Sequence, residues 1–302
     1  MAPSQSQSIV RVAAVQAEPE WFDLQAGVKK TCALIAEAAE GGAQLLSVKY
    51  IQNSLTVDSP EMDTIRAAAA KHNINVVLGF SENDHNSLYI TQATISGATA
   101  HIFGDASGSC LMNVVDLPIG KVGALNCWEH IQPLLKYHTF LQHEEIHVGS
   151  WPALDSFVEG DPGHWGMSRD GSHCSARQYA VEGGCFVMCT TAVTTQRGVD
   201  LMKTQNGLIY HTPGGGCSAI YGPDGRRLSK PLPETQEGLV FADLDKSLIV
   251  GVRMLMDSCG HYSRPDILWL GVDARERKHV DYQGAPQLKA EKSDTVSEES
   301  FY

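Results

Sequence analysis

Residues 9–17, IVRVAAVQA, are apolar almost throughout and rich in β-branched side chains, which predicts an opening strand. After Trp21-Phe22-Asp23 the period changes. Leu24, Val28, Cys32, Ile35 and Ala39 recur at helical spacing up to Glu40, with Asp23 placed to cap the first turn and Gly41-Gly42 to end the helix. A short apolar strand, AQLLSV (43–48), comes next. Ser59-Pro60-Glu61 opens a second helix to about Lys71, because proline fits a first turn where its missing N–H costs nothing. NINVVLGF (73–80) then reads as a buried strand, paired through a turn at 83–86 with SLYITQATIS (87–96).

The alternation of strand and helix persists. LMNVVDLPIGKVGALNC (111–127) holds two strands around the Leu117–Gly120 turn, and IQPLLKYHTFLQ (131–142) has the apolar face of a helix. HVGSWP (147–152), a helix from about Ser175 to Glu182, and CFVMCTTAV (185–193) repeat the pattern. SAIYGPDGRRL (218–228) is a hairpin turning at Pro223-Asp224-Gly225, and GLVFADLD (238–245) is a strand. No repeat is visible, and the order argues one layered α/β domain over 9–245. Regularity weakens after Ile249, so 246–282 is expected to be an extension that packs on its own domain or on a second subunit. Residues 283–302 are Lys, Glu, Ser, Asp and Gln with little to bury, and are expected to be disordered.

Composition narrows the function classes. With 302 residues, 43% hydrophobic and 19% charged, the chain has the makings of a globular protein with a sizeable core. A formal net charge of -12 with scattered basic residues removes the electrostatic footprint for nucleic acid or anionic membrane. The opening MAPSQSQSIVRVAAVQ lacks the basic start and apolar run of a secretory signal, and no later stretch is apolar for long enough to span a bilayer. The expectation is a cytoplasmic protein whose partner is a small neutral molecule or another protein. Eight dispersed cysteines then read as free thiols.

One cysteine stands out. In Gly120-Lys121-Val122-Gly123-Ala124-Leu125-Asn126-Cys127-Trp128-Glu129-His130, a strand of small and apolar residues delivers Cys127 to a turn just before a helix expected at Ile131. Backbone N–H groups at such a turn lower a thiol's pKa and stabilise an oxyanion, so Cys127 occupies a nucleophile's position, although burial is the commonest fate of a free cysteine. Trp128, Glu129 and His130 adjoin it as supporting candidates, and Trp151-Pro152 at a strand end are candidates for the substrate pocket. His138, His143 and His147 with Glu144 and Glu145 fit no closed zinc pattern and read as solvated residues at a helix end. Cys185 and Cys189 sit at even spacing and should face one side of a strand. Gly214-Gly215-Gly216 reads as a flexible connector, and Lys121 as a solvated lysine at a strand edge.

The segments AAVQAEPEWFDLQAGVKKT, NSLTVDSPEM, VVLGFSE, GKVGALNCWEH, HVGSWP, YGPDGRRL and HYSRPDILWL together resemble the nitrilases of the carbon–nitrogen hydrolase family, in particular fungal nitrilases acting on aromatic or arylaliphatic nitriles. The resemblance reaches to about residue 280. It implies a four-layer α-β-β-α sandwich, oligomeric assembly, no cofactor, and a Glu–Lys–Cys triad with Cys127 as nucleophile. Cyanide hydratases are similar but tend to carry Asn where His130 stands, which favours a nitrilase.

Two departures matter. The family's glutamate lies in a Phe-Pro-Glu string at the end of the strand after the first helix, whereas here Ser47-Val48 runs straight into Lys49-Tyr50-Ile51-Gln52-Asn53-Ser54, which matches sequence further downstream. The family's lysine lies in an Arg-Arg-Lys-Leu-Lys-Pro-Thr-His-like string. Ser96-Gly97-Ala98-Thr99-Ala100-His101-Ile102-Phe103-Gly104 stands in its place, and only His101 and the Phe103-Gly104-Asp105 beyond it match. Of the triad, the match carries over Cys127 alone. The alternative reading is therefore a family member that keeps the fold and acts by association.

Overall fold

The computed structural model describes residues 8–49, 54–84, 87–96, 99–103, 108–160, 163–207, 209–273 and 275. The alternation within β1 (Ile9–Ala17) decides the architecture. Val10, Val12 and Ala14 enter one buried cluster, and Ala13, Val15 and Ala17 another, so both faces are covered as the uninterrupted apolar run requires. In α1 (Leu24–Glu40) the Asp23 carboxylate accepts the Ala26 N–H at 2.9 Å, and Gly42 adopts φ +81 just beyond the helix end, as the sequence predicts. The chain then forms β2 (Leu45–Lys49), α2 (Pro60–Lys71), β3 (Asn75–Asp84), β4 (Ser87–Ser96) and β5 (Thr99–Phe103).

The second half contributes β6 (Val114–Leu117), β7 (Gly120–Asn126), α3 (Pro133–Leu141), β8 (Ile146–Trp151), α4 (Arg169–Gly183) and β9 (Phe186–Ala192). It ends with α5 (Gln196–Met202), β10 (Ala219–Tyr221), β11 (Gly238–Asp245) and α6 (Ser247–Leu255). The strands run β5-β4-β3-β2-β1-β9-β8-β7-β6, with β11 on the remaining flank of β1 and β10 on β9. Only the last two residues of β1 reach β9, through Gln16 opposite Thr191 and Ala17 opposite Ala192. The ladder is therefore two sheets hinged at one corner and laid face to face.

Three apolar layers arise from strand parity. Ile35, Ala38, Met62 and Ile65 of α1 and α2 pack on Ala13, Leu46, Val76 and Leu78 outside the first sheet. Val12, Leu45, Val77, Val122, Val148 and Met188 fill the space between the sheets. Phe140, Ala176, Tyr179 and Ala180 of α3 and α4 cover Leu125, Val187 and Ala219 outside the second sheet. The result is the expected four-layer α-β-β-α sandwich. Toward the carboxyl ends of the parallel strands the inter-sheet layer turns polar. Ser47 and Thr190 hydroxyls meet at 2.5 Å, the Gln92 amide donates to Ser150 Oγ at 2.8 Å, and Asn126 Nδ2 reaches the Ile90 carbonyl at 3.5 Å.

Several local expectations need correction. The helix expected at Ile131 begins at Pro133, because a 3₁₀ turn over Cys127–Ile131 intervenes and proline, lacking an N–H, starts a new helix more readily than it continues one. α4 starts at Arg169, not near Ser175, since Ser168 Oγ caps it by accepting the Gly171 N–H. Gly214–Gly216 is buried and pinned by Thr194 and Leu154, hence no loose connector. Lys121 lies on β7 between β6 and β8 and is not at an edge. α6, where the sequence pattern fades, docks on this same domain: Ile249 enters the inter-sheet core and Arg253 donates to the Glu144 and Gly183 carbonyls. Among the described residues no helix is long and apolar enough to cross a membrane. The tail 283–302 lies outside the described residues.

Candidate active site

β7 brings the chain to the site. Val122 and Ala124 point between the sheets and Leu125 to the helix side, so Asn126 falls on the inter-sheet face at the polar end of that layer. Cys127 then takes φ +36, a left-handed conformation that costs a non-glycine residue about 1 to 3 kcal/mol and persists only where its surroundings enforce it. Two side chains of the same turn enforce it. Glu129 Oε2 accepts the Asn126 N–H at 2.5 Å, and His130 Nδ1 lies 2.6 Å from the Cys127 carbonyl oxygen. The thiol is half-buried, at the carboxyl ends of the parallel strands β2, β7, β8 and β9, where open α/β sheets place their ligand sites.

The supporting candidates separate. Trp128 is 47% exposed and Glu129 is half-buried, committed through one oxygen to the turn. His130 is buried, and desolvation with the neighbouring His147 lowers its pKa to about 3, so it is neutral at ordinary pH. Trp151 is 2% exposed in the helix-side core, its ring 5.0 Å from that of His130, and Pro152 is half-buried beside it. Among the described residues no group of three or more His, Cys, Asp or Glu is placed to hold a metal ion. Cys185 and Cys189 share one buried cluster, as their spacing implied.

Glu144 and His147 overturn their reading as solvated helix-end residues. Both are fully buried, because His147 is an odd position of β8, whose even positions Ile146 and Val148 face the other sheet, and odd positions there point under α3 and α4. His147 Nδ1 meets Glu144 Oε2 at 2.8 Å, its Nε2 meets His130 Nε2 at 3.0 Å, and the Tyr179 hydroxyl donates to Glu144 Oε1 at 2.5 Å. Two groups, Tyr210, unremarked in the sequence, and Cys189, lie within reach of a charge on Cys127. Burial raises the Tyr210 pKa and the Cys127 thiolate raises it further, and Cys189 is pushed up by burial, by Cys217 and by Cys127. Both hold their protons, so neither is a ready base. Only the isolated position of Tyr210 in GLIYHT marks it in the sequence, and that signals nothing.

At the first departure β2 ends at Lys49, and by Leu55 the chain is already buried against β3, where the Leu55 N–H donates to the Ser81 carbonyl. Tyr50 and the side chain of Lys49 lie outside the described residues. Glu82 of β3 accepts from Thr91 at 2.7 Å, on the parity of Phe80 and therefore on the helix side of its sheet, away from Cys127. At the second departure β4 ends at Ser96 and β5, paired with it, begins at Thr99.

The carbon–nitrogen hydrolase family model matches residues 11–100 and 97–254, two stretches that divide where β4 gives way to β5. The chain is 52% identical to an arylacetonitrilase of Aspergillus kawachii, covering 90% of this chain and 94% of that one, and 51% identical to an arylacetonitrilase of Aspergillus niger with the same coverage. The first alignment spans 311 positions, whereas 90% of 302 residues is about 272, so about 39 positions face no residue of this chain. In structure it is similar to Nit3 of Saccharomyces cerevisiae, a nitrilase-superfamily member, with TM-score 0.62 and 18% identity over 85% of this chain and 96% of that one. The family match across most of the chain and the identity to both fungal relatives make this protein a member of the carbon–nitrogen hydrolase family, on its nitrilase side.

Proposed function

We propose that the protein is a nitrilase-type hydrolase whose nucleophile is Cys127 and whose substrate class is the arylacetonitriles, turning over slowly because the glutamate- and lysine-bearing segments are missing. The observation that carries the reading is the left-handed turn at Cys127, at the carboxyl ends of four strands, in a chain about half identical to two arylacetonitrilases over 90% of its length. The thiolate adds to the nitrile carbon, and the nitrogen takes a proton to give a thioimidate. Water then adds at that carbon and ammonia leaves, giving a thioester, and a second water releases the carboxylic acid and restores the thiol. Each water must give up a proton as it attacks, which is the task of the family's glutamate.

The division of the family match at 97–100 and the unmatched positions opposite the A. kawachii relative support the loss of both segments. Loss of one acid–base partner costs ~100- to 10,000-fold, and partners acting as a unit do not add. Purified protein should therefore release ammonia from phenylacetonitrile only slowly or not at all, while iodoacetamide labels Cys127 selectively. Turnover at rates usual for such enzymes would remove the claim about the segments; an unlabelled Cys127 would remove the nucleophile. Sequencing the transcript tells whether the two segments are absent from the message itself.

A further inference from the structure

A line of buried polar groups runs from the nucleophile's turn into the core under α3 and α4, and its hydrogen bonds leave little freedom in where the protons sit. The Cys127 carbonyl only accepts, so His130 Nδ1 donates to it across 2.6 Å. A neutral His130 then accepts at Nε2, so His147 Nε2 is the donor across 3.0 Å. His147 Nδ1 and Glu144 Oε2, 2.8 Å apart, share one proton, and the Tyr179 hydroxyl donates to the other carboxylate oxygen at 2.5 Å. All four side chains are 3% exposed or less. Every donor in the line points toward the Cys127 carbonyl or is held by Glu144.

Two glycines make the room. A Cβ on Gly149 would stand 2.9 Å from His130 Nε2, and one on Gly123 would stand 2.0 Å from Glu144 Oε2. Neither has a left-handed φ, so close approach of these side chains is the reason for glycine here.

Peptide planarity links the line to chemistry. The Cys127 carbonyl and the Trp128 N–H belong to one peptide unit and point in opposite directions. Pinning the carbonyl toward His130 in the helix-side core therefore turns the Trp128 N–H the opposite way. We propose that His130, held by His147 and Glu144, is a positioning residue that fixes the Cys127–Trp128 peptide so that the Trp128 N–H meets negative charge developing on a bound substrate. This rests on Cys127 being the nucleophile. It assigns His130 a role through the backbone, with no contact to substrate.

The test compares two reagents. Phenylacetaldehyde is trapped when the thiolate adds to its carbonyl carbon, the π pair moves to oxygen and that oxygen takes a proton, giving a thiohemiacetal that needs a donor at the oxygen. Iodoacetamide loses iodide by direct displacement and needs no such donor. In His130→Phe, aldehyde affinity should fall about 100-fold, in line with loss of one oxyanion donor, while the rate of iodoacetamide labelling changes by less than about threefold. Gly149→Ala removes no polar group and should shift aldehyde affinity in the same direction by a smaller factor, which keeps the test alive if His130→Phe does not fold. Glu144→Gln can donate to His147 Nδ1 and accept from Tyr179, so it should stay within about threefold of the parent for both reagents. Unchanged aldehyde affinity in His130→Phe and Gly149→Ala, or equal losses for both reagents, would overturn the role of His130. Failure of the parent to react with iodoacetamide at Cys127 would instead overturn the nucleophile itself.

Discussion

The two helix-covered layers of the sandwich are built on opposite principles. Outside the first sheet, α1 and α2 meet the strands through aliphatic side chains such as Ile35, Leu46, Met62 and Leu78. Outside the second sheet, α3 and α4 close over a carboxylate, two histidines and a tyrosine, joined in one hydrogen-bonded line that ends on the Cys127 backbone. Burial of an ionisable pair repays its desolvation only where the remaining hydrogen bonds are made, so such a layer is an expensive way to hold a fold together. An aliphatic layer resists deformation but aims nothing. The polar layer specifies the direction of one carbonyl, that of Cys127.

The comparison predicts different kinds of damage. Glu144→Leu leaves His147 and Tyr179 facing hydrocarbon, and removing one partner of a buried pair should cost about 3 to 5 kcal/mol in chemical denaturation and also weaken aldehyde capture at Cys127. Leu46→Ala, a fully buried position of the first layer, should cost a comparable or smaller amount, about 2 to 5 kcal/mol, by deleting methyl groups and leaving a cavity. Among molecules still folded, it should leave aldehyde affinity as it was. If Leu46→Ala altered capture as strongly as Glu144→Leu, the two layers would not differ in what they do.

How legible each layer was depends on the same contrast. β1, α1, α2 and the β3–β4 pair were readable because aliphatic layers write themselves as unbroken apolar runs or as a period of 3.6, with Asp23 and Ser59 marking the helix starts. The place of Cys127 at a turn just after a strand was readable from the small residues running into NCWEH. The polar line was hidden by its own composition. His143-Glu144-Glu145-Ile146-His147 looks like the wet end of a helix, and only the register of β8 shows that residue 147 points under α4. Likewise Arg169-Asp170-Gly171-Ser172 begins a helix whose first turn carries no apolar signal, and α6 comes after the last strand where the regular pattern fades. Position in a sheet covered on both faces decides what such residues do, and a single strand's sequence does not contain it.

The mildest effect expected concerns acid. Burial lowers the pKa of His130 to about 3, while the unfolded chain carries it near 6.5. Between those values the unfolded state binds the proton and the native state does not, so stability increases with pH there, and falls as pH drops from about 6.5 toward 3. One such group contributes at most about 1.4 kcal/mol per pH unit. His173, lowered to about 4 chiefly by burial and then by Arg227, adds a similar slope over a narrower window, and it belongs to the same half of the molecule. Denaturation midpoints between pH 7 and 5 should therefore shift less in His130→Phe than in the parent, by the share of one histidine. An identical slope in both proteins would mean that His130 takes up its proton in the native state, where it would have two donors and could no longer accept from His147, and the ordered line of hydrogen bonds under Cys127 would have to be redrawn.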